Sequence, residues 1–291
     1  MMDKNKAIDL DYLSVLEISG KGAFDLLQGQ ITCDVSKVSP THSCLGALCN
    51  AKGRVISSFI LTSLSVDTYS LIGLSGTLIR TEEELSKYSP FYEVRLKQNK
   101  KLSFYGIEKK VFEDTYDIKI GLEENTAQIN STKFVRYLDK KFLLVISDKK
   151  GNLVDKNLFK KDKNRSEWDL DEILSFNVEI SEKDSEKYTP HELSYDTTKR
   201  IDFEKGCYTG QEIIARMHYR GKNLPRLNLA ESLDLEIREN MTVSNEENKK
   251  VGNIVKVVNL ADKSLCLIST KEKNLLTPLK VRETNSVLSL N

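Results

Sequence analysis

The sequence is poor in residues that mark several common classes of protein. It has one tryptophan, three histidines and five cysteines among 291 residues, and the cysteines are widely spaced and odd in number. Disulfide frameworks use an even number of closely spaced cysteines, and zinc or iron–sulfur sites use paired C-x-x-C spacing. The sequence therefore indicates neither kind of site, and we expect a reducing cytoplasmic compartment.

Long hydrophobic runs are also missing. A membrane helix needs about 20 apolar residues, and the most apolar run, 55–64, is shorter and contains serines that suit a buried strand. Residues 1–11 lack the apolar core of a signal peptide. We expect no membrane segment. In the absence of a coiled-coil pattern or an apolar surface stripe, we also expect a monomer.

The overall charge is close to balanced. Lysine and arginine number 44 against 43 acidic residues, a net charge of +1, and 39% of the chain is hydrophobic. This composition predicts a globular protein with a sizeable core, and the net charge does not indicate a nucleic-acid binder. Residues 199–226 hold seven basic and three acidic residues. A solvated face explains this surplus most simply, and an anion-binding site is the alternative.

One segment carries most of the chemistry. Residues 205–212 read Lys-Gly-Cys-Tyr-Thr-Gly-Gln-Glu, and Thr209 and Glu212 have the spacing of a capping box at the start of a helix. Cys207 is then expected just outside a helix N-terminus with Lys205 beside it, and both would favour a thiolate. The alternative is a tight turn whose cysteine packs as a small hydrophobic residue.

The histidines do not add a metal site to this segment. His218 lies on the predicted motif helix and His191 in a predicted loop, where a role as proton donor is the alternative. His218 and Cys207 would make two ligands, and two ligands are not a site. We therefore predict no metal.

The remaining pattern alternates strands and short helices. Strands are predicted at 13–18, 45–48, 55–61, 69–72, 102–107, 133–138 and 142–147. Helices are predicted from Ala23 to Gly29, over 81–88 with acids in the first turn, and from Trp168, while 149–163 is predicted as a helix followed by a linker. Six short strands then follow Pro225, at 226–230, 241–244, 250–260, 265–269, 279–282 and 287–290. We expect an α+β region over 1–222 and a C-terminal β-barrel over 223–291.

The motif also supports a family assignment. It continues into Ala-Arg at 215–216 and Tyr-Arg-Gly at 219–221, and the whole run resembles the signature of the YgfZ family of folate-binding proteins. Segments 27–35, 49–54 and 88–94 resemble the same family. Its relatives include the glycine-cleavage aminomethyltransferase (GcvT) and a mitochondrial iron–sulfur assembly factor. The resemblance implies a GcvT-like fold, in which two ferredoxin-like α+β units form a ring with a C-terminal β-barrel.

The resemblance also implies a function. Tetrahydrofolate would occupy the central cavity, and the protein would support the assembly or repair of iron–sulfur enzymes and, through them, tRNA modification. Iron–sulfur proteins or their assembly machinery would be its partners. One alternative is a folate-dependent aminomethyltransferase, and another is a module that binds tRNA directly through the basic stretch.

Site residues follow from the same resemblance. Cys207 would be the reactive group at the edge of the cavity. Lys205, Arg216 and Arg220 would hold carboxylates of the folate tail or of a partner, an interpretation from charge. The predicted cofactor-binding residues are Leu13, Trp168, Lys205, Gly206, Tyr208, Gly210, Gln211, Glu212, Arg216 and Arg220.

Three departures from the family pattern qualify this expectation. Ser57 and Ser58 stand where the aminomethyltransferase has an acidic residue, and a serine cannot act as a carboxylate base near neutral pH. We therefore expect a non-enzymatic folate-binding assembly factor. Family members also have an aromatic residue at the position of Leu13. Their pterin-binding carboxylate aligns with 174–176, which leaves Glu172 or Glu179 as substitutes, so we expect a weaker or differently built folate site.

Overall fold

The computed structural model describes residues 5–148 and 159–290. Its first part contains β1 (Asn5–Asp9), β2 (Leu13–Ser19), α1 (Ala23–Gln30), β3 (Cys44–Cys49), β4 (Val55–Ser65), β5 (Thr68–Leu74), α2 (Ser75–Ser86), β6 (Arg95–Gln98), β7 (Leu102–Glu108) and α3 (Lys109–Tyr116). The chain continues with β8 (Thr126–Ile129), β9 (Thr132–Val135), β10 (Phe142–Asp148), β11 (Phe159–Asp162), α4 (Ser166–Leu174) and α5 (Gln211–Arg220). No helix of the described ranges is long and apolar enough to cross a membrane.

These strands form two sheets. One has six strands in the order β11-β1-β7-β10-β9-β8, and the other has five in the order β3-β4-β5-β2-β6. β4 is buried from Val55 to Thr62 because its apolar side chains serve two cores. Phe59 and Leu61 pack with Leu78 and Leu85 of α2, whereas Ile60 packs with residues of the six-stranded sheet. The alternation of a strand's side chains thus joins the two sheets face to face.

The C-terminal strands close into a barrel. They are β12 (Arg226–Ser232), β13 (Thr242–Ser244), β14 (Lys250–Asn259), β15 (Ser264–Thr270), β16 (Leu279–Val281) and β17 (Ser286–Leu290), paired in the order β12-β15-β14-β13-β16-β17. Ile254, Ile268 and Cys266 are among the buried side chains that fill it. All six strands that the sequence predicted for the barrel are confirmed. The α+β class with a C-terminal barrel is confirmed as well. A domain boundary at residue 222 stays a prediction.

A shared core connects the barrel to the rest of the chain. Ala47 and Val55 of the five-stranded sheet, Tyr195 and Ile201 of the long connection, and Leu267 of the barrel belong to one buried cluster. Tyr195 is fully buried, and its hydroxyl donates to the carbonyl of Val178 at 2.7 Å. The residues between α4 and α5 therefore act as packed core rather than as a free linker.

Some boundaries differ from the sequence predictions. α2 begins at Ser75, six residues before the predicted start, so the acidic residues 82–84 lie in its second half instead of its first turn. α1 continues through Gly29 to Gln30. Residues 159–162 form a strand, where a helix and linker were predicted, because they pair in parallel with β1. The rest of that prediction, 149–158, lies outside the described residues.

Candidate functional site

A cavity of about 310 Å³ opens where the two sheets and the barrel come together. This volume is at the lower end of the range for small-molecule sites. Its walls come from separate segments, and they include Tyr12, Leu13, Ile60, Ile72, Tyr137, Arg165, Trp168, Glu172, Glu179, Val255 and Lys256. Leu13 and Trp168, which the sequence assigned to the same ligand, therefore line the same cavity.

Trp168 shows little of its surface to this cavity. Its side chain is 1% exposed, and the Lys140 ammonium lies 4.2 Å from the ring centroid. Gly106 of β7 makes room for the indole, because a β-carbon at that position would lie 2.4 Å from Cε3 of Trp168. The indole is therefore closely packed on the Gly106 side, and a ligand could stack on the face that Lys140 covers only if Lys140 moved.

Glu172 is the centre of a buried polar network. Its Oε1 accepts hydrogen bonds from Tyr137 (2.8 Å) and Lys140, and its Oε2 accepts from Asn177 (2.6 Å) and Lys256 (3.4 Å). Burial opposes ionisation of Glu172, but the two ammonium groups and the hydrogen bonds outweigh it and lower the pKa to about 2. The carboxylate is therefore ionised, with all four of its acceptor positions in use.

Glu179 is a second carboxylate on the cavity wall, and it has fewer partners. Its Oε2 accepts from the Ser58 hydroxyl at 2.5 Å, and its Oε1 pairs with the fully buried guanidinium of Arg200. Arg200 also donates to Asn177 Oδ1 at 2.6 Å. The side chain of Glu179 is 16% exposed against 6% for Glu172. Of the two proposed substitutes for the family carboxylate, Glu179 therefore keeps free acceptor capacity.

The two serines of β4 point to different surroundings. Ser58 faces Glu179, and its oxygen also accepts from the backbone N–H of Ile180 at 2.9 Å. The Ser57 hydroxyl instead shares a 2.6 Å hydrogen bond with Thr81 of α2. A carboxylate, that of Glu179, thus does lie beside β4. It comes from the segment after α4, whereas the aminomethyltransferase pattern has its acidic residue on β4 itself.

The Lys205 side chain turns into the protein, away from the role predicted for it. Its ammonium donates to the backbone carbonyls of Gln28 (2.8 Å), Ile31 (2.8 Å) and Cys33 (2.9 Å). Burial lowers the pKa of Lys205 to about 8. Lys205 therefore holds together the segment that follows α1, and its charge is not directed at the thiol of Cys207.

The start of α5 also differs from the predicted capping box. The helix begins at Gln211, after Gly210 with φ of 82°, and the Thr209 hydroxyl donates to Gln30 Oε1 at 3.0 Å. A β-carbon on Gly210 would lie 2.5 Å from the carbonyl oxygen of Asn50. Glycine is required here both by the left-handed backbone and by the close approach of the hairpin between β3 and β4. The capping-box interpretation was wrong because a tertiary hydrogen bond takes the threonine.

Two of the three further segments that resemble the family, 27–35 and 49–54, therefore contact the motif. The turn after α1, the β3–β4 turn and residues 205–211 contact one another through Lys205, Thr209 and Gly210. Cys207 is exposed at this junction. Across the described ranges, the residues that line the cavity of Leu13 and Trp168 do not include Cys207 or any of the predicted binding residues from Lys205 to Arg220.

These motif residues differ in burial. Tyr208 is buried in the shared core, and Gln211 Oε1 accepts from the Tyr208 backbone N–H at 3.3 Å. Gly206 is exposed, as are Glu212, Arg216 and Arg220 on the outer side of α5. The binding roles assigned to these residues stay predictions, and the structure separates them from Leu13 and Trp168.

Among the residues that the structure describes, only some of the basic residues in 199–226 are exposed and unpaired on the surface. Arg200 and Lys205 are buried, and Arg226 forms two hydrogen bonds with the Asp196 carboxylate at 2.8 and 2.7 Å. The exposed basic residues of this stretch are Lys199, Arg216, Arg220 and Lys222. The stretch therefore presents fewer free cations than its sequence suggests.

Several charged residues in the cavity wall or directly behind it were not predicted from the sequence. Lys140 precedes β10 and Lys256 belongs to the barrel, and both contact Glu172 of α4, whereas Arg200 lies in the long connection and contacts Glu179. These contacts depend on the whole topology. A single lysine or arginine is by itself typical of solvated surface, and the sequence around these three does not distinguish them. Lys140 and Arg200 are distinguished by their burial, and Lys256 by its ion pair with the buried Glu172.

Comparison with solved structures defines the fold class. The chain superposes on the glycine cleavage system aminomethyltransferase T from Bartonella henselae with a TM-score of 0.76, covering 99% of this chain and 85% of that one at 13% identity. It therefore has the GcvT-like fold of α+β units with a C-terminal barrel. No protein-family model matches the chain.

Sequence comparison then gives the family. The chain is 30% identical over 222 residues to tRNA-modifying protein YgfZ of Colwellia psychrerythraea, covering 74% of this chain and 68% of that protein. It is 26% identical to tRNA-modifying protein YgfZ of Vibrio atlanticus (93% and 85% covered) and 27% identical to that of Escherichia coli O127:H6 (87% and 81%). The chain belongs to the YgfZ family.

Proposed function

We propose that this protein binds tetrahydrofolate in the cavity lined by Leu13 and Trp168 and supports the assembly or repair of iron–sulfur clusters, and thereby tRNA modification. The observation that carries the proposal is the cavity itself, lined by Trp168 and by a carboxylate with free acceptor positions, Glu179. The relatives are named tRNA-modifying proteins, which supports the proposed link to tRNA modification.

The residues of the cavity suit a pterin. A pterin is flat and apolar on its faces, and its edge carries neighbouring N–H donors that a carboxylate can accept together. Ile60, Ile72 and Val255 supply apolar wall, and Glu179 supplies the acceptor. Glu172 is excluded from this role because its acceptor positions are filled by Tyr137, two lysines and Asn177. We therefore assign the pterin edge to Glu179.

The folate tail requires a cation at the mouth of the cavity. Arg165 is half-buried on the wall, with its guanidinium 4.5 Å from the Tyr12 ring centroid. Lys256 is the other candidate on the wall, but it already pairs with Glu172 at 3.4 Å. We assign the tail carboxylates to Arg165 in preference to Lys205, whose ammonium is used by three backbone carbonyls.

We assign Cys207 a role that is separate from folate binding. Its thiol is exposed on a junction held by buried hydrogen bonds, so it is available to a second protein. We propose that Cys207 is functionally essential and acts toward an iron–sulfur partner, while the cavity holds the folate.

A fluorescence titration tests folate binding directly. Trp168 is the only tryptophan of the chain and lines the cavity, so its emission reports on this site. Tetrahydrofolate should quench it saturably, after correction with a free tryptophan derivative at the same absorbance. Replacing Arg165 by Gln should weaken the interaction, whereas replacing the exposed Arg220 by Gln should not. Absence of saturable quenching, together with absence of heat in calorimetry, would contradict folate binding.

A genetic experiment tests the cellular role. In cells that lack this protein, the level of tRNA nucleosides made by cluster-dependent enzymes should fall, as measured by mass spectrometry. The parent gene should restore it and the Cys207→Ser variant should not, while the half-buried Cys44→Ser variant serves as the control. Full restoration by Cys207→Ser would contradict the role given to the thiol.

Direct tRNA binding is the second candidate. It is favoured by the exposed cations Lys199, Arg216, Arg220 and Lys222, which flank the motif. Such binding would weaken steeply with salt and would not depend on folate. Absence of tRNA binding at low salt removes this candidate and leaves the folate proposal unaffected.

A further inference from the structure

Two histidines and an aspartate meet at a place outside the proposed folate cavity. His191 lies in the turn that follows Pro190, Asp196 in the same connection, and His218 in the last turns of α5. His191 Nε2 and His218 Nδ1 each lie 3.9 Å from one carboxylate oxygen, Oδ2 of Asp196. Candidate ligand atoms from the three residues all lie within 4.8 Å of one another. The cluster joins segments 27 residues apart, which explains why the sequence did not reveal it.

His191 is a buried polar side chain without a partner. It is 1% exposed, and neither ring nitrogen makes a hydrogen bond to any residue that the structure describes. Buried polar atoms are almost always satisfied, and each exception requires an explanation. The distance of 3.9 Å to Asp196 is too long for a hydrogen bond. A ligand between the two groups would satisfy both.

The other two members are held in place. The His218 ring stacks on Phe203, with centroids 3.8 Å apart and an angle of 19° between the planes. The Asp196 side chain is 4% exposed, and the guanidinium of Arg226 fixes it through hydrogen bonds of 2.8 and 2.7 Å. Carboxylates that bind metals are commonly held by such an outer hydrogen bond. Two of about four acceptor positions on Asp196 remain free.

The chemistry of the cluster matches a metal with a preference for nitrogen. Imidazole is the commonest metal-binding side chain in proteins, and the cluster offers two of them. Two imidazoles and one carboxylate are a common set for zinc, whereas calcium and magnesium prefer oxygen ligands. Ligands at about 2.1 Å from zinc in a tetrahedron would be about 3.4 Å apart. The two histidine–aspartate separations of 3.9 Å are half an ångström longer, and the separation between the two histidines is at most 4.8 Å. Binding of the ion would draw the three side chains together.

We propose that His191, Asp196 and His218 bind one divalent transition-metal ion, with Zn²⁺ as the first choice, and leave one coordination position open. The open position faces solvent because His218 is 35% exposed. His218 and Arg226 also line a second cavity, of about 610 Å³, through which the ion would enter. The site is separate from the proposed folate cavity and does not depend on folate binding.

Metal binding is tested with Zn²⁺ alone on the full chain. All proteins carry Cys207→Ser, because an exposed thiol would also bind zinc. The chain has one further histidine, His42, which contacts the backbone carbonyl of Glu123 and provides the matched control. Calorimetry should show one equivalent of Zn²⁺ with the same Kd for Cys207→Ser and for Cys207→Ser/His42→Gln. The Kd should rise at least tenfold for Cys207→Ser/His218→Gln.

A second measurement reports the coordination itself. Co²⁺ bound by two imidazoles and a carboxylate gives visible absorption bands, which should appear with His42→Gln and disappear with His218→Gln and with His191→Gln. Melting curves in the presence of a chelator check that each variant is folded. Should the buried His191 variant fail to fold, the half-exposed His218 variant decides the result. Equal Zn²⁺ affinity of the His42 and His218 variants, or no stoichiometric binding to Cys207→Ser, would overturn the proposal.

Discussion

Lys205 and Cys207 are separated by one residue, yet their side chains lie in different surroundings. The ammonium of Lys205 is buried and donates to three backbone carbonyls, whereas the thiol of Cys207 is exposed. The motif is therefore built in two parts. Lys205 fixes the junction, and Cys207 is presented from it.

Replacement of Lys205 by Met should destabilise the fold. It leaves the carbonyls of Gln28, Ile31 and Cys33 without their donor, which we expect to cost about 2–4 kcal/mol in the free energy of unfolding. Urea denaturation measures the change. Replacement of the exposed Lys222 by Met removes the same charge and should change stability by less than about 0.5 kcal/mol. Equal effects of the two variants would show that the carbonyl contacts contribute nothing.

The two glycines of the motif should respond differently to alanine. Gly210 has φ of 82°, and a β-carbon there would lie 2.5 Å from the carbonyl oxygen of Asn50. Gly210→Ala should therefore lose about 1–3 kcal/mol from backbone strain, with a further loss from the steric clash. At Gly206, among residues 5–148 and 159–290, no atom beyond the chain neighbours lies within 4 Å of such a carbon. Gly206→Ala should leave the unfolding midpoint nearly unchanged, and a loss as large as that of Gly210→Ala would be inconsistent with this structure.

The five thiols should differ in their reactivity. Cys207 is exposed, whereas burial raises the pKa of Cys49 and Cys266 to about 12 and that of Cys44 to about 11. Since the thiolate is the reactive form, iodoacetamide should first label Cys207 in the native protein. Peptide mass spectrometry identifies the labelled site. Labelling of Cys44 or Cys49 at the same rate would contradict the described exposure.

Glu172 should make the protein sensitive to acid. Its pKa is lowered from the ordinary 4.5 to about 2, because Lys140 and Lys256 outweigh the cost of burial. A depressed carboxyl pKa contributes stability above the unfolded value, and this contribution is lost as the pH falls through the folded value. The free energy of unfolding should therefore decrease between pH 4.5 and 2, by an amount on the order of 3 kcal/mol from this group.

The contribution of Glu172 can be isolated with two variants. Glu172→Gln should be less stable at pH 7, since it leaves two lysines without a carboxylate, and its stability should vary less over the acid window. Glu236→Gln, at a side chain that is 78% exposed, should follow the parent. Parallel pH curves for Glu172→Gln and the parent would contradict the ion-pair network.

Local patterns were sufficient to predict most of the strands. The apolar runs on either side of a turn located the hairpin of β3 and β4, and the regular spacing of short strands between Asn and Asp turns located the six barrel strands within a few residues. Helix starts were less predictable. α2 begins after Leu74, whose side chain gives no cap, and the capping-box spacing at Thr209 was overridden by its bond to Gln30. In such cases a tertiary contact overrides the local sequence preference for a helix start.

The candidate site was only partly predictable. The family resemblance identified Leu13 and Trp168, and both line the cavity. Lys140 and Lys256 are about a hundred residues apart, and no local pattern shows that they meet at Glu172. Arg200 was counted with the surface charges because burial depends on the packing of distant segments.

The most direct test of the account is a calorimetric titration of tetrahydrofolate into the parent, Glu179→Gln and Glu236→Gln, with the melting point of each variant measured first. Glu179 has free acceptor positions on the cavity wall, so its replacement should raise the Kd about tenfold or more. The exposed Glu236 variant should bind as the parent does. Unchanged affinity in a folded Glu179→Gln protein, or no binding by the parent, would contradict a folate site in this cavity.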